Sequence, residues 1–495
     1  MIAADTFARW IDRADGATPR LRWRDGGWTQ AALAARVRHC ADVLVREDAR
    51  VIASRLDNGP GWIALDLAIR LIGRVHVPLP TFFSPAQAAH ALADCGADAL
   101  VAPAAATVAS LARSPLDEAS TLHRLAATPA ALPAGTATIT YTSGTTGAPK
   151  GVCLGADALL AVASSLTGAT APLAPRRHLC LMPLSTLLEN VAGVYAALLA
   201  DAEIVVPPLA EIGYTGAAGL DVPTLLDCLH RYRPDSAILV PQLLLALTMA
   251  GERGAPPPDS LKCLAVGGGR VGPALIARAE ALGLPVYEGY GLSECASVVC
   301  FNRPGAVRAG SVGRPLPHAR VHVRDGELCV AGPHYLGYLG GDRVPADAEI
   351  ATGDLGHVDA DGFVHVTGRR KHVFITAFGR NVSPEWVESE LLQHPAFAQA
   401  VVHGEARPFN VAIVWPRDPA LDDDALARAL DAVNRGLPDY ARVAALVRAD
   451  APFTAADGLL TANGRPRRDA ILTRYRDAVD ARYGDATPHP GGTRA

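Results

Sequence analysis

LKCLAVGGGRVGPALIARAEALGLPVYEGYGLSE, Leu261 to Glu294, changes its period twice. A short apolar run enters the glycine turn Gly267-Gly268-Gly269, a helical pattern follows, and a second short run ends in an aromatic, glycine-rich loop. Strand, turn, helix and strand in that order make a right-handed crossover between parallel strands. The same alternation stands upstream. Arg50 to Leu56 reads as a strand, Gly59 to Ile72 as a helix and His76 to Leu79 as a strand closed by Pro80. Leu220 to Tyr232, Ser236 to Val240 and Pro241 to Ala250 read as helix, strand and helix. Repeated units of this kind predict an α/β body built on parallel sheet.

Working outward, Thr29 is placed to cap a helix beginning in WTQAALAARVRHCADVLVRE, and Ala97 to Ala102 reads as a strand. The strand Ala137 to Tyr141 feeds YTSGTTGAPKG, Tyr141 to Gly151, and the helix Asp157 to Leu166 follows. That loop carries the hydroxyls of Thr142, Ser143, Thr145 and Thr146, three glycines, and Lys150 behind Pro149. Glycines admit close backbone N–H groups, hydroxyls add donors, and a lysine adds a point charge, so the loop suits an anion. It is not a Walker A loop, because Gly144 and Gly147 are wrongly spaced from Lys150. An ordinary Ser/Thr/Gly surface loop has the same composition.

Further on, His178 to Met182 reads as a strand, and PLSTLLENVAGVYAALLADAEIVV as loop, helix and strand. Asp325-Gly326 and Asp361-Gly362 mark hairpins in a small β-rich subdomain. After Gly368 the texture changes to Arg369, Arg370, Lys371 and His372, then a small α+β unit. The expected division is 1–370 for the body and 371–495 for the smaller domain, with a disordered tail over 485–495.

Lys and Arg number 46 against 50 Asp and Glu, a net charge of -4, which gives no field for nucleic acid or a membrane surface. Nine scattered cysteines without a C-x-x-C pair read as reduced core residues of a cytoplasmic protein. The first twenty residues lack a signal-peptide pattern, and the window Ala237 to Ala250 is too short to span a membrane.

YTSGTTGAPKG closely resembles the phosphate loop of the AMP-forming adenylating enzymes, the superfamily of acyl- and aryl-CoA synthetases, adenylation domains and luciferases. YEGYGLSEC, the turn Gly267 to Gly269, ATGDLGHVDADGF and TGRRKHVFITAFGRNVSPEWVESEL match it in order, and GRNVSPEWVE most resembles the long-chain acyl-CoA synthetase branch. The resemblance implies a large α/β N-terminal domain with a small β subdomain and a mobile α+β lid. It implies ATP and Mg2+ as cofactors, with coenzyme A or phosphopantetheine as acceptor. Lys150, Glu294, Thr145 and Arg465 fall on catalytic positions, and Thr145 and Glu294 on the metal. Thr142, Ser143, Gly144, Thr146, Gly147, Gly267, Gly268, Gly269, Tyr290, Gly291, Ser293, Asp354 and Arg369 fall on the nucleotide, Tyr290 against adenine and Asp354 on ribose. Lys371 falls on the interdomain hinge and Gly379 on the thiol tunnel of a second conformation. Taken singly, Ser293 reads equally as a helix cap, Asp354 as a turn residue and the basic run as solvated charge.

Two departures stand out. Arg465 in GLLTANGRPRRDA occupies the place of the family's catalytic lysine, keeping charge but adding a planar fork. Thr186 in MPLSTLLEN replaces the usual histidine, while Glu189 is retained. Family position makes Asn190, Val194, Gln242 and Arg270 candidates for the acid pocket. The expected activity is ATP-dependent adenylation of a fatty or aryl acid with pyrophosphate release, then thioester formation, with an acyl carrier protein as an expected partner. Alternatives are a ligase with an amine or hydroxyl acceptor, and a non-catalytic nucleotide-binding regulator because of Arg465.

Overall fold

The computed structural model describes residues 2–13, 16–142, 150–215, 219–461 and 464–484. At its centre Ser236–Leu239 lies between Arg177–Leu179 and Cys263–Val266, all parallel, and Cys263–Val266 pairs parallel with Val286–Leu292. This is the crossover read from Leu261 to Glu294, with the helix Pro273–Ala281 between its strands. Antiparallel strands on both edges extend the sheet to nine.

An eight-stranded sheet holds the upstream unit. Val51–Ser54 pairs parallel with both Val75–Pro78 and Ala99–Pro103, and Thr136–Thr142 joins beyond Val75–Pro78. Thr29 caps the helix Gln30–Arg46, its hydroxyl accepting the Ala32 N–H at 3.3 Å. The structure adds a strand that the pattern did not predict. Lys150–Gly155 runs antiparallel to Thr136–Thr142 before the helix Ala156–Thr170 begins. Val152, Cys153 and Leu154 are all buried, so no alternation marked the strand.

A buried polar knot ties the eight-stranded sheet to the helices beside it. Asp66, on the helix Pro60–Leu71, receives Arg70 at 3.1 Å, faces His76 Nδ1 at 2.6 Å, and accepts from Tyr195. Tyr195 ends the segment Leu188–Tyr195, which winds as a wide π-helix before returning to α over Ala196–Leu199.

Arg320–Arg324, Glu327–Ala331, Glu349–Val358 and Val364–Arg369 form the small four-stranded sheet, with hairpins at Asp325-Gly326 and Asp361-Gly362. Beyond it, Phe397–His403, Asn410–Pro416 and Val443–Arg448 make a three-stranded sheet with its own core on each face. Val402, Ala412 and Val414 pack on one face, and Val401, Val411 and Ile413 on the other. All nine cysteines are free and buried.

Among the described residues one helical stretch, Ala156–Leu173, is long and apolar enough by composition to cross a membrane, and its Leu159, Val162, Ala163 and Leu166 are buried in the body's core.

Candidate active site

The C-terminal ends of the central strands open onto a cleft of about 2160 Å³ that also reaches the four-stranded sheet and the C-terminal unit. Its rim begins at the glycine turn. Gly267 N–H donates to the Leu239 carbonyl at 3.1 Å, and Gly268 takes φ +77, a conformation that favours glycine.

Tyr290 and Asp354 meet across this rim from strands of two different sheets. Asp354 stands directly opposite Arg369 in the hairpin pair, and the Arg369 Nε lies 2.7 Å from its Oδ1. The Tyr290 hydroxyl donates to Oδ2 at 2.6 Å. Burial, and then the Asp354 charge, push the Tyr290 phenol well above its ordinary range, so it stays a donor. Glu288, two residues earlier on the strand, is buried, and burial pushes its carboxyl up to about 8 against the opposing charge of Arg270.

Glu294 sits in a single 3-10 turn, Ser293–Cys295, whose cap residue is Leu292 rather than Ser293. The Tyr338 hydroxyl donates to Glu294 Oε1 at 2.7 Å, and Lys150 Nζ stands 5.6 Å from the centre of the Tyr338 ring. Pairing of Tyr338 with Val152 brings Tyr338 beside Lys150, and Thr142 faces Lys150 across the strand pair. Ser143, Gly144, Thr145, Thr146 and Gly147 lie outside the described residues. Of the expected metal ligands, Glu294 is therefore the one whose setting is seen. Its carboxylate lines the cleft and is of the oxygen type that suits a hard cation such as Mg2+.

The C-terminal unit closes the cleft. Arg465 reaches across to the glycine turn, its Nη2 3.2 Å from the Gly268 carbonyl. Its loop is held locally by Thr461, whose N–H donates to the Arg465 carbonyl at 2.8 Å and whose hydroxyl accepts the Arg465 N–H at 3.1 Å. Crowding by the cleft walls, which strips water from the guanidinium, and then the neighbouring Arg369 hold the Arg465 pKa below the ordinary arginine value, while Asp354 and Glu294 pull it back; the residue as a whole remains exposed. Lys371, also exposed, is likewise lowered by partial desolvation and by Arg369. Together, Arg369, Lys371 and Arg465 gather positive charge about one point, the field an anionic ligand would meet.

Arg468 is not a surface charge. It forks onto Glu388, with Nη1 2.6 Å from Oε1 and the second nitrogen on Oε2, and Glu388 also accepts the Val402 N–H at 2.7 Å. This pair ties the loop bearing Arg465 to the helix Pro384–Gln393. Tyr338 has no signal in the sequence, because it meets Glu294 through a strand pairing with Val152 far upstream.

Thr142, Lys150, Gly267, Gly268, Gly269, Tyr290, Gly291, Ser293, Glu294, Asp354, Arg369, Lys371 and Arg465 all line the cleft. Gly379 does not; it is exposed at the turn of the ribbon Phe374–Ile375 and Asn381–Val382. Gln242, Arg270 and Thr186 line the cleft, the Thr186 hydroxyl donating to the Pro183 carbonyl at 2.7 Å. Asn190 and Val194 do not. Asn190 faces Asp66 at 3.4 Å and Val194 is buried in the core, because the π-helical winding turns Ala192, Gly193 and Ala196 toward the cavity instead. Glu189 is wholly buried and binds protein groups, His178 at 2.9 Å and the Met182 N–H at 2.8 Å.

A two-sheet α/β body, a small β sheet and an α+β unit that closes a cleft between them is the architecture of the adenylating enzymes. Residues 7–339 match the AMP-binding enzyme family and residues 371–487 the AMP-binding enzyme C-terminal domain. The chain belongs to the AMP-binding enzyme family. It is 27% identical to the long-chain-fatty-acid–CoA ligase FadD15 of Mycobacterium bovis, covering 85% of this chain and 86% of that one. Among solved structures, the anthranilate CoA ligase AuaEII in complex with anthranoyl-AMP superposes with a TM-score of 0.80 over 97% of this chain and 98% of that one, at 19% identity. The amide bond synthetase McbA of Marinactinospora thermotolerans superposes with a TM-score of 0.73 over 96% and 99%, at 25% identity.

Proposed function

We propose that this chain is an acid–thiol ligase that activates a carboxylic acid as its acyl adenylate, with ATP and Mg2+, and then transfers the acyl group to the thiol of coenzyme A or of a carrier-protein phosphopantetheine. The observation that carries this reading is the reach of Arg465 to the Gly268 carbonyl, which puts a cation from the C-terminal unit in the same cleft as Tyr290, Asp354, Arg369 and Glu294.

In this reading the carboxylate attacks the α-phosphorus of ATP and pyrophosphate leaves. Arg465 and Arg369 stabilise negative charge on the phosphoryl oxygens, which is where such reactions gain most. Asp354 accepts from the ribose hydroxyls, and Tyr290 offers its ring to adenine. Lys150 and the hydroxyls of the loop that it closes hold the β- and γ-phosphates. Bound Mg2+ neutralises phosphate charge, and Glu294 is the carboxylate that would hold it.

The body is residues 1–370 and the lid 371–495, turning about Lys371. Gly379, exposed in the present closed arrangement, lines the thiol path after rotation. The lid would thereby run two half-reactions in one cleft.

Acid-dependent exchange of labelled pyrophosphate into ATP tests the first half-reaction, and repetition with coenzyme A tests the second. Exchange with some acid is the expected result. None across a broad panel of alkanoic and aryl acids would favour a non-catalytic nucleotide-binding role. The likeness to McbA, named for amide bond synthesis, supports a second reading with an amine acceptor. Adenylate turnover by amines but not by coenzyme A would select it.

A further inference from the structure

Below the glycine turn, the cavity continues between the central sheet and the helical segments Ala156–Thr170 and Leu188–Leu199. Its walls are apolar and small, with Ile238 and Ala265 from the sheet facing Ala192 and Ala196 from the helices. Its floor is polar. His178 and Ser236 are register partners on adjacent parallel strands, so both point to one face and line the cavity together. From Val240, beside the turn, to Ser236 is four strand residues, a depth of about 13 Å at the usual rise.

The floor is a hydrogen-bonded chain. Glu189 Oε2 accepts the Met182 N–H at 2.8 Å, and Oε1 lies 2.9 Å from His178 Nε2. His178 Nδ1 lies 3.1 Å from the Ser236 hydroxyl. A hydroxyl both donates and accepts, so with this one partner Ser236 keeps hydrogen-bonding capacity for the cavity. The backbone of the π-helix packs directly on these groups: a Cβ on Gly193 would come within 2.2 Å of Glu189 Oε1 and 2.7 Å of His178 Nε2. His178, Cys180 and Glu189 also bring potential metal-ligand atoms within 4.8 Å of one another. Both Glu189 oxygens already have protein partners, so of the three it is His178 that lines the cavity with Ser236.

Resting on the adenylation reading, we infer that Ser236 recognises the far end of the acid, and that the substrate is a medium-length carboxylic acid bearing a hydroxyl, which can pair with Ser236 as donor or acceptor, at the end remote from the carboxyl. Both Glu189 oxygens are engaged, so the floor has no free counter-ion for an ammonium group. An apolar chain end would leave the Ser236 hydroxyl facing hydrocarbon, which a polar site disfavours.

Pyrophosphate exchange is measured with matched pairs of alkanoic and ω-hydroxyalkanoic acids from octanoic to dodecanoic. The wild-type protein is expected to prefer the ω-hydroxy acid by roughly tenfold or more in kcat/KM, with the largest ratio near decanoic acid. Ser236→Ala is expected to abolish the preference while keeping exchange with decanoic acid, and Ser236→Thr, which retains the hydroxyl, to preserve it. Equal or better use of the plain acids by the wild-type protein, or a ratio unmoved by Ser236→Ala, overturns this inference alone. Exchange with aryl acids but with no alkanoic acid overturns it as well and leaves adenylation standing. Absence of exchange with every acid sinks both.

Discussion

Arg465 and the carbonyl of Gly268 are 197 residues apart in sequence and 3.2 Å apart in space. A cation from the C-terminal unit is thus held against the turn that forms the cleft's rim, where the adenylation reading puts the transferring phosphoryl group. Arg465→Ala is expected to lower acid-dependent pyrophosphate exchange by about 10²- to 10³-fold, the usual cost of one preorganised charge-stabilising group. Arg465→Lys keeps the charge, loses the fork, and is expected to stay within about tenfold. Thioester formation from supplied acyl adenylate should change less than about threefold in either variant. Equal losses in the two half-reactions would contradict a role in adenylation.

Asp354 has both oxygens engaged, one by Tyr290 at 2.6 Å and one by Arg369 at 2.7 Å. A ribose whose hydroxyls donate to this carboxylate enters a site already aligned. Asp354→Ala removes the acceptor and strands the Tyr290 hydroxyl, so ATP affinity is expected to fall roughly tenfold to a hundredfold by calorimetric titration, as for a charge-assisted hydrogen bond. Tyr290→Phe keeps the ring and the carboxylate, and a loss of less than about fivefold is expected. An unchanged dissociation constant in Asp354→Ala would remove the ribose role.

What sequence could show follows from range. The crossover at Leu261 to Glu294 was legible because apolar runs and glycine turns are local. Asp354 and Arg369 could each be picked out, and their contact follows from a hairpin whose Asp361-Gly362 turn lies between them. Tyr338 could not, since it reaches Glu294 only through a pairing with Val152, nearly two hundred positions upstream by roughly ordinary chain counting. Asn190 and Val194 are candidates by family position alone, and no local pattern marks the π-helical winding of Leu188–Tyr195 on which Ala192 and Gly193 line the cavity instead.

Glu288 predicts a pH dependence of stability. Burial raises its carboxyl to about 8 in the folded state, opposed by Arg270 and by the Val271 N–H. A raised acid holds its proton more tightly when folded. The stability it contributes is therefore complete below the unfolded value, near pH ~4.3, and is lost as pH rises toward about 8. Each pH unit across that window costs about 1.4 kcal/mol. Glu288→Gln cannot ionise, so its melting temperature should fall less between pH ~5 and ~8 than that of the wild-type protein. Parallel melting curves for the two proteins would show that Glu288 titrates normally.

Arg468 and Glu388 separate stability from function. Burial raises the Glu388 carboxyl, and the Arg468 fork draws it back down. Arg468→Met leaves that carboxyl buried without its partner, which typically costs about 3–5 kcal/mol and is expected to lower the urea midpoint of the C-terminal unit. Arg468→Met with Glu388→Leu replaces both charges by hydrocarbon and should recover much of the loss, since buried pairs exchange well for apolar packing. The loop bearing Arg465 remains unpinned in the double variant, so pyrophosphate exchange should stay depressed by about tenfold or more even where the midpoint recovers. If stability and exchange recover together, the pair only holds the lid's fold and does not position Arg465.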